Sequence, residues 1–270
     1  MRYLKSYSLF ESFLSAVSKS QSRMLQSAFS LDDQEARSKF ENIKKVLDRD
    51  CKKFVDEMLR SESDLILRGT HYDVIKEEVH MFKLNVRKNR KPRDTDIVIH
   101  DLMDFYFEKK FNVRLRSQGV FTTKSYSAST EYGIPHIFFP IGDYKYYWND
   151  SVDDVYTLFE TDIAKFYQER NDNKLLVIFP DEWRKFDSQE NTADDEDEWF
   201  DQMSQRAIDE FEDFVSDIVD GYQVNDRKSM SSIKYQEVIF VCDQYYLIPP
   251  EYFNFFFEWF DITPVYEDRF

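Results

Sequence analysis

The fold turns on one stretch, Gly119-Val120-Phe121-Thr122-Thr123-Lys124-Ser125-Tyr126-Ser127-Ala128-Ser129-Thr130-Glu131-Tyr132-Gly133. Two glycines bracket a hydroxyl-rich segment, and Val120 and Phe121 stand immediately before the hydroxyls. A β-branched and aromatic run that ends in small polar residues is how a strand delivers hydroxyls to a cleft. The other reading of the same residues is a Ser/Thr-rich surface loop. The surrounding sequence favours the strand.

Upstream, Ser63-Asp64-Leu65-Ile66-Leu67-Arg68-Gly69-Thr70 reads as a buried strand running into Arg-Gly. Burying a guanidinium without a partner is costly, so Arg68 either meets a neighbouring carboxylate or a ligand. A helix is expected over about residues 95–111, with Ile97, Ile99, Leu102, Met103, Phe105, Tyr106 and Phe111 on its apolar face. Asp94 and Thr95, after Pro92, supply its start signals.

Downstream, residues 137–148 read as two strands around a turn at Gly142-Asp143, then helices near 150–159 and 163–169, then a buried strand over 175–179. Residues 187–198, with Asp194-Asp195-Glu196-Asp197-Glu198, read as a solvated or disordered loop. Phe200, Met203, Ala207, Phe211, Phe214 and Ile218 then mark an amphipathic helix that Gly221 ends. The last strands are expected over 235–242, carrying Glu237, and over 244–248. The aromatic tail at 252–260 reads as core. Four of the five glycines lie between 69 and 142, which places sharp turns and close backbone approaches in the middle of the chain.

Before this core, residues 32–61 keep a period near 3.6 through Ala36, Phe40, Ile43, Val46, Leu47, Phe54, Val55 and Leu59, as one long or broken helix. Residues 1–20 form a short amphipathic pattern, and Ser- and Gln-rich sequence follows to residue 30. The expected organisation is an α+β domain over 31–270 behind a helical extension at 1–30. Within it lie a helical lead-in (31–62), a core (63–250) and an aromatic C-terminal segment (251–270).

Composition bounds the function. In 270 residues, 42% are hydrophobic and 17% aromatic, ample material for a core. The net charge of -16 argues against a general nucleic-acid coat, since phosphate binding is dominated by Lys and Arg. One basic island breaks that acidity: Lys83, Arg87, Lys88, Arg90, Lys91 and Arg93. It is either a solvated face or a surface that meets phosphates, and it is the only hint of a nucleic-acid partner. Two distant cysteines, Cys51 and Cys242, make neither a disulfide framework nor a zinc pattern, which fits a reducing compartment. His71, His80, His100 and His136 lack metal-ligand spacing, so no metal is expected. No apolar run approaches the ~18 residues of a membrane span, and the N-terminal residues do not read as a secretory signal.

Three elements therefore stand in order: a strand ending in Arg68-Gly69, then Val120-Phe121-Thr122-Thr123-Lys124-Ser125, then strand-borne Glu237. This order resembles the Arg–Ser–Glu branch of the ADP-ribosyltransferase superfamily, in which an Arg and a small residue, an aromatic-Ser/Thr-x-Ser motif and a late-strand Glu form the site. Ala128 and Tyr132-Gly133 look like the continuation of the second motif. The resemblance covers about residues 65–250. It implies a split, mostly antiparallel sheet, with NAD as substrate and a protein acceptor, such as a host protein, as target. Cleaving the nicotinamide–ribose bond builds an oxocarbenium-like charge, as in glycoside hydrolysis.

In that chemistry Glu237 would be the catalytic carboxylate. Arg68 would hold a pyrophosphate or ribose oxygen. Gly69 would let the backbone approach the nicotinamide amide, and Tyr132 would stack on its ring. Thr122, Thr123 and Ser125 would orient the glutamate and the ribose, with the hydroxyl motif read either as Thr122-Thr123-Lys124 or as Thr123-Lys124-Ser125. Tyr235 stands where arginine-modifying members carry Glu or Gln, so the acceptor stays open.

The N-terminal residues also resemble tags of proteins packaged into the heads of large tailed phages. Leu9-Phe10-Glu11-Ser12 looks like a prohead-protease site cut after Glu11. That resemblance implies a rival reading, a head-associated virion protein with the same fold and no catalysis. The transferase reading places the protein in the host cytoplasm.

Overall fold

The computed structural model describes residues 33–61, 63–70, 80–92, 97–152, 167–171, 174–178, 193–225, 230, 233 and 237–262. The expectations for residues 1–30, for Tyr235 and for a helix past residue 152 lie outside the described residues.

The lead-in forms two helices, α1 (Asp33–Asp50) and α2 (Lys52–Ser61). They break at Cys51, where the Asp50 carbonyl accepts from the Gly142 backbone at 3.0 Å and the Asp50 carboxylate accepts from the Tyr246 hydroxyl at 2.8 Å. Phe40, Ile43, Leu47, Phe54, Val55 and Met58 face inward, as their spacing requires. The chain continues through β1 (Leu67–Thr70), β2 (Phe82–Asn85), α3 (Ile97–Phe111), α4 (Leu115–Gln118) and β3 (Val120–Thr123). Then come α5 (Tyr126–Glu131), β4 (Ile134–Ile141), β5 (Lys145–Trp148), β6 (Tyr167–Asn171) and β7 (Lys174–Ile178). The last elements are α6 (Ala193–Asp220), β8 (Gln223–Val224), β9 (Glu237–Val241), β10 (Gln244–Ile248) and α7 (Phe253–Phe260). Helices and antiparallel strands thus make an α+β fold.

Eight strands form one sheet in the order β2-β10-β4-β1-β3-β9-β5-β8, and every pairing is antiparallel. At its middle the sheet is split. β1 and β3 meet only where Leu67 lies opposite Thr123, while Arg68, Gly69 and Thr70 pair with β4 alone. Two four-stranded halves result. The turn at Gly142 (φ 71°) does not make a hairpin, because β4 belongs to one half and β5 to the other. The β9–β10 turn crosses between the halves in the same way.

The larger hydrophobic core gathers α1, α2, α7 and strands of both halves; Phe138 and Phe240, one from each half, pack at a tilt with centroids 4.8 Å apart. The Glu57 carboxylate joins α2 to the sheet by accepting from the hydroxyls of Tyr144 and Tyr146, the latter at 2.8 Å. Burial and that carboxylate push both phenols well above their ordinary range. A second core, with Ile99, Met103, Phe107, Val215, Val219 and Ile239, seats α3 and α6 on the other face of β9.

Three expectations are corrected. Residues 167–169 belong to β6, which pairs with β7 in a separate two-stranded sheet, and not to a helix. The acids at 194–198 lie in the first turns of α6, not in a loop. The hydroxyls after Thr123 are neither strand nor loop: they fold as α5. Ser125 caps that helix by accepting from Ala128 N at 3.2 Å, and Ser129 and Thr130 donate back to the carbonyls of Tyr126 (2.7 Å) and Ser127 (2.6 Å). The aromatic tail does pack as expected, with Tyr252, Phe253, Phe256 and Phe260 buried. Among the described residues, no helix is long and apolar enough to cross a membrane.

Candidate functional site

Strand register brings the three sequence motifs together. Thr123 lies opposite Leu67 on one side and opposite Glu237 on the other, so Arg68, Thr123 and Glu237 stand on three adjacent strands at one point of the split. Alternation along β3 and β9 sorts their side chains. Val120, Thr122, Val238 and Phe240 are buried, while Phe121, Thr123 and Glu237 are half-buried on the opposite face.

The hydroxyls divide accordingly. Thr122, only 4% exposed, donates to the Val238 carbonyl at 2.7 Å and ties β3 to β9. Thr123 faces the Glu237 position and accepts from Ser125 N at 3.0 Å. Ser125 is occupied as the cap of α5 and shares a hydrogen bond with Ser127 Oγ at 2.9 Å. Of the two registers read from the sequence, the one that begins at Thr123, Thr123-Lys124-Ser125, places its first hydroxyl opposite the glutamate.

Arg68 donates from Nη1 to the Phe121 carbonyl at 2.8 Å, which carries it across the split from β1 to β3. At Gly69, the close approach is made by α5. A Cβ there would stand 2.1 Å from the Ser129 carbonyl and 2.8 Å from Tyr132 Cβ, so only glycine lets α5 lie against β1. This seats Tyr132, 43% exposed, beside the split at the C-cap of α5.

Glu237 is held from two sides. The Tyr222 hydroxyl donates to Oε1 at a long 3.4 Å. Tyr222 follows the end of α6, where Lys110 Nζ donates to the carbonyls of Val219 (3.1 Å), Asp220 (2.6 Å) and Tyr222 (3.2 Å). A cation on the last carbonyls is the favourable partner for a helix C-terminus. On the other side, Lys124 (6% exposed) donates to the carbonyls of Met230 and Ile233, the second at 2.6 Å. It thereby anchors the chain that leads into Glu237. Burial pushes the Lys124 ammonium down to about 8, with Asp64 opposing.

Two arginines complete the site. The Arg90 guanidinium lies 4.1 Å from the Phe121 ring centroid and that of Arg116 lies 4.8 Å from it. Arg90 N donates to the Ser117 carbonyl at 3.0 Å, which fixes its loop to α4. Arg116 is placed by Asp104, whose buried carboxylate accepts from Arg116 N at 2.7 Å and from Ser117 N at 3.3 Å, capping the first turn of α4. Burial, then the charges of Arg116 and Arg68, push Arg90 down to about 10, while Glu237 and Tyr132 oppose them. Arg68 reaches the same residue through the Phe121 carbonyl, so three guanidiniums gather at Phe121.

Sequence reading missed Arg116 and Tyr222 as site residues and placed Arg90 in a surface island. That island does not present one face. Lys83, Arg87, Lys88 and Lys91 are exposed, with Lys88 3.7 Å from Asp243, whereas Arg90 turns in to Phe121. Among the described residues, no three His, Cys, Asp or Glu side chains gather as a metal site. No family model, no curated protein and no solved structure matches this chain.

Proposed function

We propose that the protein is an NAD-dependent mono-ADP-ribosyltransferase acting on a protein. The observation that carries the reading is the register line Leu67–Thr123–Glu237, which sets Arg68, a hydroxyl and a carboxylate side by side where the sheet splits. In this reaction the bond between the ribose anomeric carbon and the pyridinium nitrogen breaks. Its electron pair leaves with neutral nicotinamide, and positive charge spreads over the ribose carbon and ring oxygen. Glu237 stabilises that charge as a carboxylate, and a nucleophile on the acceptor closes the new bond as it loses its proton. Thr123 positions the glutamate, and Tyr132 flanks the ring that leaves. The split is what gives a ligand access to backbone and side chains in mid-sheet, since a continuously paired sheet would close that space.

Incubation with NAD labelled in its adenylate and a cell lysate tests this. Label transferred to protein, with nicotinamide released, and both lost in Glu237→Ala at unchanged melting temperature, is the expected result. Neither transfer nor nicotinamide release from the wild-type chain sinks the reading and leaves the non-catalytic, head-associated alternative.

A further inference from the structure

The three guanidiniums at the split do not stand in equivalent places. One nitrogen of Arg68 is committed to the Phe121 carbonyl at 2.8 Å, a bond from β1 to β3 beside the Leu67–Thr123 pairing that joins these two strands. Arg116 is 5% exposed and lies 4.8 Å from the Phe121 ring centroid, so little of it is open to a ligand. Arg90 is half-buried and closest to the ring, and among the described residues its guanidinium has no salt bridge or hydrogen-bonded side chain. Because Arg90 and Arg116 flank one ring, they lie no farther apart than the sum of their two distances to it. Gathering such charges in a chain of net charge -16 needs a purpose, since like charges in a partly buried place repel.

We infer that Arg90 is the principal ligand of a diphosphate group, with buried Arg116 supplying field from behind and Arg68 serving mainly as a brace across the split. This rests on the transferase reading for its choice of a dinucleotide diphosphate, but the anion subsite itself stands on the arginine geometry. A diphosphate fits for three reasons. It carries at least two negative charges to set against this excess. Its oxygens match the fork of donors on a guanidinium held 4.1 Å from an aromatic ring centroid. The nearby Tyr132 and Glu237 then lie along the rest of a dinucleotide. Phe121 is part of the device, because stacking fixes the plane of Arg90 before the anion arrives.

Calorimetric titration with inorganic pyrophosphate, with ADP and with orthophosphate, at low and moderate salt, tests the subsite without any turnover. Wild-type protein binds pyrophosphate and ADP at least tenfold more tightly than orthophosphate, and more weakly as salt rises. Arg90→Gln lowers both affinities tenfold or more, Arg90→Lys recovers part of the loss, and Phe121→Leu costs severalfold while leaving the charge in place. Arg68→Gln lowers the melting temperature more than Arg90→Gln does, and lowers affinity less. The inference is overturned if the wild type binds neither pyrophosphate nor ADP, if Arg90→Gln binds like wild type with an unchanged melting curve, or if Arg68→Gln abolishes binding as fully as Arg90→Gln. Pyrophosphate binding that depends on Arg90 without nicotinamide release from NAD upholds the subsite and removes the transferase. NAD turnover indifferent to Arg90→Gln does the reverse.

Discussion

The two half-sheets spend their side chains differently. In β2-β10-β4-β1, consecutive residues are buried: Tyr245, Tyr246, Leu247 and Ile248 on β10 and Ile137, Phe138 and Phe139 on β4 all enter the large core. In β3-β9-β5-β8, alternate residues go to two cores, Val238 and Phe240 to the large one and Ile239 to the smaller one under α3 and α6. Where β3 ends and β9 begins, Thr123 and Glu237 stand opposite each other and half-buried. The candidate site thus draws Thr123 and Glu237 from this half and Arg68 from the other, where Gly69 leaves the room that α5 fills.

Substitutions can break this comparison. The largest effect is expected at Phe240, which is fully buried and packs on Phe54 and Phe138 from across the split. Phe240→Ala should cost about 3–5 kcal/mol in urea denaturation. A cost under ~1 kcal/mol would mean that the two halves hold independently.

Next in size, Lys124→Met leaves the Met230 and Ile233 carbonyls without their charged donor, a loss of roughly 1.5–3 kcal/mol. Its pH dependence has a fixed sign. The folded-state ammonium titrates near 8, below the unfolded value of about 10.4, so unfolding takes up a proton between those values. Stability of the wild type relative to Lys124→Met therefore rises from pH 8 to pH 10. A flat or falling difference in melting temperature contradicts the burial of that charge. Because Lys124 anchors the approach to Glu237, the same variant should lower nicotinamide release even where it stays folded.

Smaller effects sharpen the face assignment on β3. Thr122→Val removes a buried donor to Val238 and should destabilise by about 1 kcal/mol, with activity changed only through stability. Thr123→Val takes the acceptor from a half-buried Ser125 N–H and should destabilise less than Thr122→Val while lowering NAD cleavage more. The reverse pattern, measured by melting curves and nicotinamide release, would put the wrong hydroxyl at the site.

Much of this was legible in the chain. Val120 before Thr122 and the apolar run behind Glu237 each state a strand, while the run before Arg68 marks a strand that starts only at Leu67 and includes Arg68 and Gly69. Register was not legible. That Thr123 lies opposite Glu237 depends on which strands become neighbours, and pairings over more than a hundred residues leave no local signal. Arg90 looked like one more residue of a basic island because only α4, through Ser117, turns it toward Phe121. The helix at 126–131 was hidden by serines and threonines, which favour helix ends and turns until their hydroxyls bond back to carbonyls three residues earlier. The acidic start of α6 failed for a similar reason: charge density reads as solvent exposure, and a helix terminus tolerates it.

The two turns that cross the split also set an order of events during synthesis. β10 lies between β2 and β4, and β9 lies between β3 and β5. Until residue 248 has left the ribosome, β2 has no strand beside it and β3 touches the sheet only through Leu67. Most of this chain must therefore wait, with aromatic surface exposed, for the passage from Glu237 to Ile248 near its end to close both halves. Chaperone dependence in the cell, and slow refolding dominated by long-range contacts outside it, follow from that wait.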